Sequence, residues 1–128
     1  MLEPEIAALA AKRAQKEQLD LARAAVVAMD EALEDADRFI ESDLDFHLAL
    51  AEATHNPVFP ILIDSIVDLL REQRKRIAHT RGGLERGQLH HKKILRAIEQ
   101  RDADSARAAM RAHLLQVRRD AQAETHHH

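Results

Sequence analysis

Residues 41–56 read "ESDLDFHLALAEATHN", and their spacing predicts a helix with a fault on its buried side. With Phe39 just ahead of them, Phe46 and Leu50 fall on one stripe at the period of an amphipathic helix. Asp43 and His47 fall on that same stripe. Residues i and i+4 lie about 40° apart around the axis and roughly 6 Å along it, so a carboxylate and an imidazole turn toward the core together.

The flanking sequence repeats the helical period. Pro4 suits a first helical position, and "EIAALAAKRA" after it predicts a short helix ending near Ala14. "KEQLDLARAAVVAMDEALE" places Leu19, Ala22, Val26, Met29 and Leu33 on one face. The helix of the opening stretch runs from about Asp37 to Thr54. "HNP" ends it, with Asn56 as N-cap and Pro57 opening a fourth helix that reaches His79. "TRGG" is a strong breaker. A fifth helix follows from about Leu84 to Gln100, and Asp102 in "RDADS" caps a sixth that reaches about Ala123. The expected fold is all-α, an antiparallel bundle of about six helices without internal repeats.

Composition agrees with that reading. The 128 residues are 45% hydrophobic, enough to bury the core of one domain. There are three Phe and no Trp or Tyr, so Leu, Ile, Val, Met and Ala must do the packing, a mixture suited to close-packed helices. No cysteine is present, which excludes thiolate sites. A net charge of −3 with interspersed signs argues against a nucleic-acid surface on this chain. No apolar run approaches the roughly 18 residues of a membrane span and no signal peptide opens the chain, so a soluble cytoplasmic domain is expected. The closing His126, His127 and His128 read as a purification tag remnant, leaving residues 1–125 as the domain.

The oddity of Asp43 and His47 recurs in two other helices. His91 is in register with Leu84, Ile94, Leu95 and Ile98, and His113 with Ala106, Met110 and Val117. Unpaired, such buried groups would cost several kcal/mol. One divalent cation satisfies all four, and three imidazoles with one carboxylate suit zinc, nickel, manganese or iron rather than calcium. Core histidines bonded to backbone carbonyls, and a plain i,i+4 surface pair, are the alternative reading. His55, His79 and His90 do not share the pattern.

The segments "LEPEIAALAAKRA", "DLDFHLALAEATHNP" and "HKKILRAIEQRDADSARAAMRAHL", in that order, resemble the FCD domain, the C-terminal effector-binding domain of FadR-type GntR transcription regulators. The resemblance spans nearly the whole chain. Its metal-binding members take an Asp and a His from a D-x-x-F-H-like motif, which implies Asp43 and His47 here. A His three residues before an Ile implies His91 rather than His90, and "M-x-x-H-L" implies His113. Where many members have Gly-Asn, this chain has His55-Asn56, a departure that leaves the implied ligand set untouched and would place a further imidazole near the site mouth. The family's N-terminal winged helix-turn-helix has no counterpart here, so DNA binding would belong to a longer protein.

The resulting expectation is a metal-dependent sensor of a small organic acid, most readily with zinc, acting as a homodimer and controlling operator binding by the full-length protein. Arg74, and after it Arg71, are candidates to pair with the acid, against the plainer reading of a solvated helix face. The rivals are a metal-assisted hydrolase, a ferritin-like di-iron bundle built on Glu52 and His55, and a structural dimerisation module. The first lacks an evident general base, and the second has one Glu-x-x-His where two are needed.

Overall fold

The computed structural model describes residues 2–126, with side chains as far as residue 123. Among the described residues the chain is all-α, with seven helices and no strand: α1 Leu2–Arg13, α2 Lys16–Asp30, α3 Ala36–Ala53, α4 Val58–Ser65, α5 Val67–Ala78, α6 Gly83–Glu99 and α7 Ala103–His126. The proposed tag falls on residues 126–128, where the side chain of His126 and all of His127 and His128 lie outside the described part.

The bundle is built around α1. Ala7, Ala10 and Ala11 are wholly buried, and side chains this small let α1 approach α3, α6 and α7 at once. α2 packs across α3 and α6. Phe46, Met29, Ile94, Ile98 and Met110 fill the space between these helices. Met and Ile suit the irregular gaps that a core with so few aromatics leaves.

Seven helices appear where about six were expected, because the stretch from Pro57 to His79 is broken at Ile66. The Ser65 hydroxyl donates to Leu62 O at 2.7 Å, and that carbonyl is the one to which Ile66 N–H would bond in an α-helix. The Ile66 N–H turns to Ile63 O at 3.1 Å instead. A serine inside a helix competes for the backbone in this way, and Ile63, Ile66 and Val67 supply stiff β-branched neighbours. The last four residues assigned to the second helix also differ. Residues 31–34 tighten into turns, and Asp35 caps α3 by accepting from Arg38 N–H at 3.3 Å.

Other boundaries follow the expected chemistry. Asn56 Oδ1 accepts from Val58 N–H at 3.1 Å. Asp102 accepts from the Ser105 N–H at 3.0 Å and from its hydroxyl at 2.7 Å. At "TRGG", Gly82 has φ 74°, a left-handed conformation that suits glycine. A Cβ on Gly83 would stand 2.4 Å from Ile77 O, so α5 and α6 meet through bare backbone. His55 also has positive φ, at 55°, as the residue that ends α3 in a left-handed turn.

Candidate metal centre

Asp43 and His47 lie on α3, His91 on α6 and His113 on α7, and all four are buried, with 2%, 2%, 1% and 2% of their surface exposed. One ligand-type atom from each lies within 4.8 Å of the other three. The imidazoles crowd together, with His91 and His113 centroids 4.7 Å apart and His47 stacked on His113 at 5.5 Å. Phe46 closes the floor, edge-on to His47 at 5.6 Å.

The hydrogen bonds around the four sort their nitrogens into outward and inward sets. His47 Nδ1 is 2.9 Å from Glu3 Oε1, and Nε2 turns toward Asp43 Oδ1 at 3.5 Å. His91 Nδ1 is 3.2 Å from Gln88 Oε1. Gln88 is itself held by its amide, which donates to Val26 O at 2.8 Å and Asp30 Oδ1 at 3.0 Å. Since that amide nitrogen is the donor, its oxygen must accept, and His91 therefore carries its proton on Nδ1. Its Nε2 is left bare toward the centre. Outer partners of this kind are what fix a histidine's tautomer for ligating a metal.

The centre itself is short of donors. His91 Nε2 stands 2.7 Å from Asp43 Oδ1, yet the two are not aligned as a hydrogen bond, and Nε2 counts as a buried atom without a partner. Proximity without alignment places two electron-rich atoms side by side, an arrangement that suits a shared cation better than a shared proton. Both ring nitrogens of His113 are also enclosed and unpartnered. Neutral buried groups left this way cost about 1–3 kcal/mol each. The donor set of three imidazoles and one carboxylate fits a divalent transition metal.

The electrostatics divide the four further. Burial alone would raise the Asp43 carboxyl, but the Arg74 guanidinium and then the His47 imidazole outweigh it and hold Asp43 well below the usual carboxylate range. Burial opposes charge on His47, yet Glu3 and Asp43 lift it to about 9. Burial pushes His91 down despite its neighbour Asp43. Burial, then His91 and His47, hold His113 well below the ordinary histidine value. At neutral pH, two imidazoles thus offer lone pairs without losing a proton, and one does not.

A family model described as the FCD domain matches residues 1–116. The chain belongs to the FCD domain family. The HTH-type transcriptional repressor NanR of Klebsiella aerogenes is 33% identical over 117 residues, covering 84% of this chain and 42% of that protein. NanR of Citrobacter rodentium is 36% identical over 111 residues, with the same coverage. A solved structure of Streptococcus agalactiae GntR matches with a TM-score of 0.77 at 28% identity, over 92% of this chain and 53% of that one. This FCD domain thus spans less than half the length of those repressors. The two NanR proteins are transcriptional repressors.

Of the two arginines singled out in the sequence, this FCD domain brings one to the centre. Arg74, 5% exposed, donates from Nε to Asp43 Oδ2 at 2.8 Å and from Nη1 to Gln73 Oε1 at 2.7 Å. Arg71 lies on the outer face of α5, bonded to Glu41 at 2.9 and 3.2 Å and to Asp68 at 2.7 Å. His55 does not reach the site mouth, because its ring bonds Gln18 at an exposed position, 3.1 Å away.

Two hollows adjoin the four residues. A void of about 20 Å³ is lined by Asp43, Arg74, His91, His113 and Gln116 among others, room for a single water-sized group. A cleft of about 470 Å³ opens beside it between α1, α4, α5 and α7, with Glu3, Gln73, Arg76 and Arg118 on its walls. The two share Arg74 and Val117. The larger hollow touches none of the four polar residues, whereas the small void is lined by Asp43, His91 and His113, and its chemistry outweighs its size.

Glu3, Gln88 and Gln116 escaped the reading of the sequence. Glu3 resembles an ordinary first-turn acid of α1. Gln88 and Gln116 each sit three residues from a candidate ligand on the same stripe, a signal that extending the stripes by one turn would have caught.

Proposed function

We propose that the domain is a metal-dependent effector sensor that binds one divalent ion, most readily zinc, through Asp43, His47, His91 and His113, and a small organic acid beside it. The observation that carries this reading is the pairing of His47 with Glu3 and of His91 with Gln88, which turns their remaining nitrogens toward Asp43 and an unpartnered His113. A bound ion would supply positive charge and open coordination positions that suit a carboxylate.

The chain's own residues give the acid a route. An organic molecule is too large for the void and fits the cleft, where Arg74 forms the partition between the two. Arg74 is held in place by Asp43, so an acid arriving in the cleft meets a guanidinium that is already oriented. In the full-length regulator, occupancy would favour one arrangement of the bundle and so reposition DNA-binding domains carried elsewhere in the protein. We also propose a cytoplasmic homodimer. Exposed Val58, Ile61 and Leu69 on α4 and α5 support self-association, and no helix among the described residues is long and apolar enough to cross a membrane.

Elemental analysis of protein freed of its C-terminal histidines tests the site. About one ion per chain is expected, with steep loss in His47→Ala and His113→Ala and none in His79→Ala. Equal metal content in all three variants would refute it.

A further inference from the structure

The imidazoles of His47 and His91 each have an outer partner, Glu3 and Gln88, but both ring nitrogens of His113 are enclosed without one. The side chains behind His91 show what is missing. Gln88, three residues before it on α6, faces its ring with Oε1 while its amide donates to Asp30, and Asp30 is paired with Lys92 at 2.9 Å. Behind His113 stands the same series. Gln116 follows it by three residues on α7, its amide donates to Asp120 Oδ2 at 2.6 Å, and Arg86 clamps Asp120 with bonds of 2.7 and 3.1 Å. Each of these histidines is thus backed by a glutamine, an aspartate and a basic side chain.

The second series is open at one joint. A carboxylate bonded to arginine can only accept, so the Gln116 amide cannot flip and its oxygen faces away from Asp120. That oxygen, Oε1, is buried and has no partner. Residues i and i+3 of a helix are neighbours, and His113 and Gln116 line the same small void. When one His113 nitrogen ligates an ion, the neutral ring keeps its proton on the other. One donor and one acceptor, each costly to leave buried and unpaired, then face the same space of about 20 Å³. We infer that Gln116 is the positioning residue for His113: its Oε1 accepts the ring N–H that does not ligate, and so fixes the tautomer and orientation of the third imidazole. His90 is the competing partner, with its Nδ1 also enclosed and its ring 5.9 Å from that of His113. It is partly exposed, so its ring can turn to water, whereas Gln116 Oε1 is held away from solvent.

This inference rests on the metal reading above, and the experiment separates the two. Zinc affinity is measured by chelator competition on wild type, Gln116→Met and His90→Phe, all freed of their C-terminal histidines. The ring N–H signals of the zinc-loaded proteins are recorded by heteronuclear NMR. In wild type, the His113 ring N–H should exchange slowly and show a cross-peak to the Gln116 side chain. In Gln116→Met that protection should vanish while the His47 and His91 signals stay, and zinc affinity should fall by about 10–100-fold, the usual cost of losing an outer partner. His90→Phe should leave both measurements unchanged. Protection lost in His90→Phe instead, or zinc affinity unchanged in Gln116→Met, would overturn the inference and leave the metal site intact. Should Gln116→Met fail to fold, the wild-type spectrum decides, and a His113 N–H without a cross-peak to Gln116 overturns the inference. Absence of zinc binding by wild type would remove the metal reading itself.

Discussion

Replacing His113 by leucine should change the domain's stability in opposite directions with and without metal. In the metal-free fold, His113 is 2% exposed and neither ring nitrogen has a partner. A neutral imidazole holds one donor and one acceptor there, and an unsatisfied buried group costs about 1–3 kcal/mol. Leucine has similar bulk and no polar atoms, and the change of shape should take back less than about 1.5 kcal/mol. A net gain of about 2 kcal/mol raises the melting temperature of a domain this size by roughly 5–10 °C. With zinc at a thousandfold excess over its Kd, the wild type gains about 4 kcal/mol from binding. The variant, having lost a ligand, gains little of this. The order of melting temperatures should therefore invert on adding zinc, with wild type leading by about 2 kcal/mol. Thermal unfolding followed by circular dichroism, with chelator and then with zinc, reads both orders on protein lacking its C-terminal histidines. A shift of the same sign and size under both conditions would refute the argument, and would favour a purely structural role for the histidine cluster.

Asp43→Ala should destabilise the metal-free domain by about 3–5 kcal/mol, because it strands the buried Arg74 charge; a loss under 1 kcal/mol in urea unfolding, on the same order-of-magnitude scale, would show that Arg74 finds other partners. His47 in the metal-free fold sits at about 9, above its ordinary 6.5. Its proton therefore stabilises the fold fully below about pH 6.5, and that contribution is lost as pH rises through about 9. Unfolding at the two ends of that window should show the fall, and His47→Gln should flatten it. The same proton competes with a metal, so zinc affinity should increase with pH up to about 9, and a pH-independent affinity across the neutral range would contradict this. Asp102→Ala should cost about 0.5–2 kcal/mol through loss of the α7 cap, with metal content unaltered; a change in metal content would mean that α7 shifts as a whole.

The helices and the four polar residues were legible in the sequence for one reason. A helix's period is local, so a polar residue on an apolar stripe announces its burial from its near neighbours alone. Asp43, His47, His91 and His113 could each be assigned to a core without knowing which helices would meet. The glycine pair of "TRGG" and the Asp102 cap were readable on the same local grounds. Even the break at Ile66 has a local cause in the Ser65 hydroxyl, although an apolar stripe running across it hid the signal. Tertiary structure decided everything that depends on contact across the chain. Arg74 is bonded to a carboxylate 31 residues away, and nothing in the pattern of α5 distinguishes it from Arg71, which the fold leaves outside. Glu3 reads as a helix-terminal acid until α1 lies against α3 and brings it to His47. Gln88 and Gln116 read as polar edges of their stripes until the interior closes around them. Hydrogen-bond direction is set by what each group meets in space, and only the packed bundle determines which ring nitrogens face outward and which face one another.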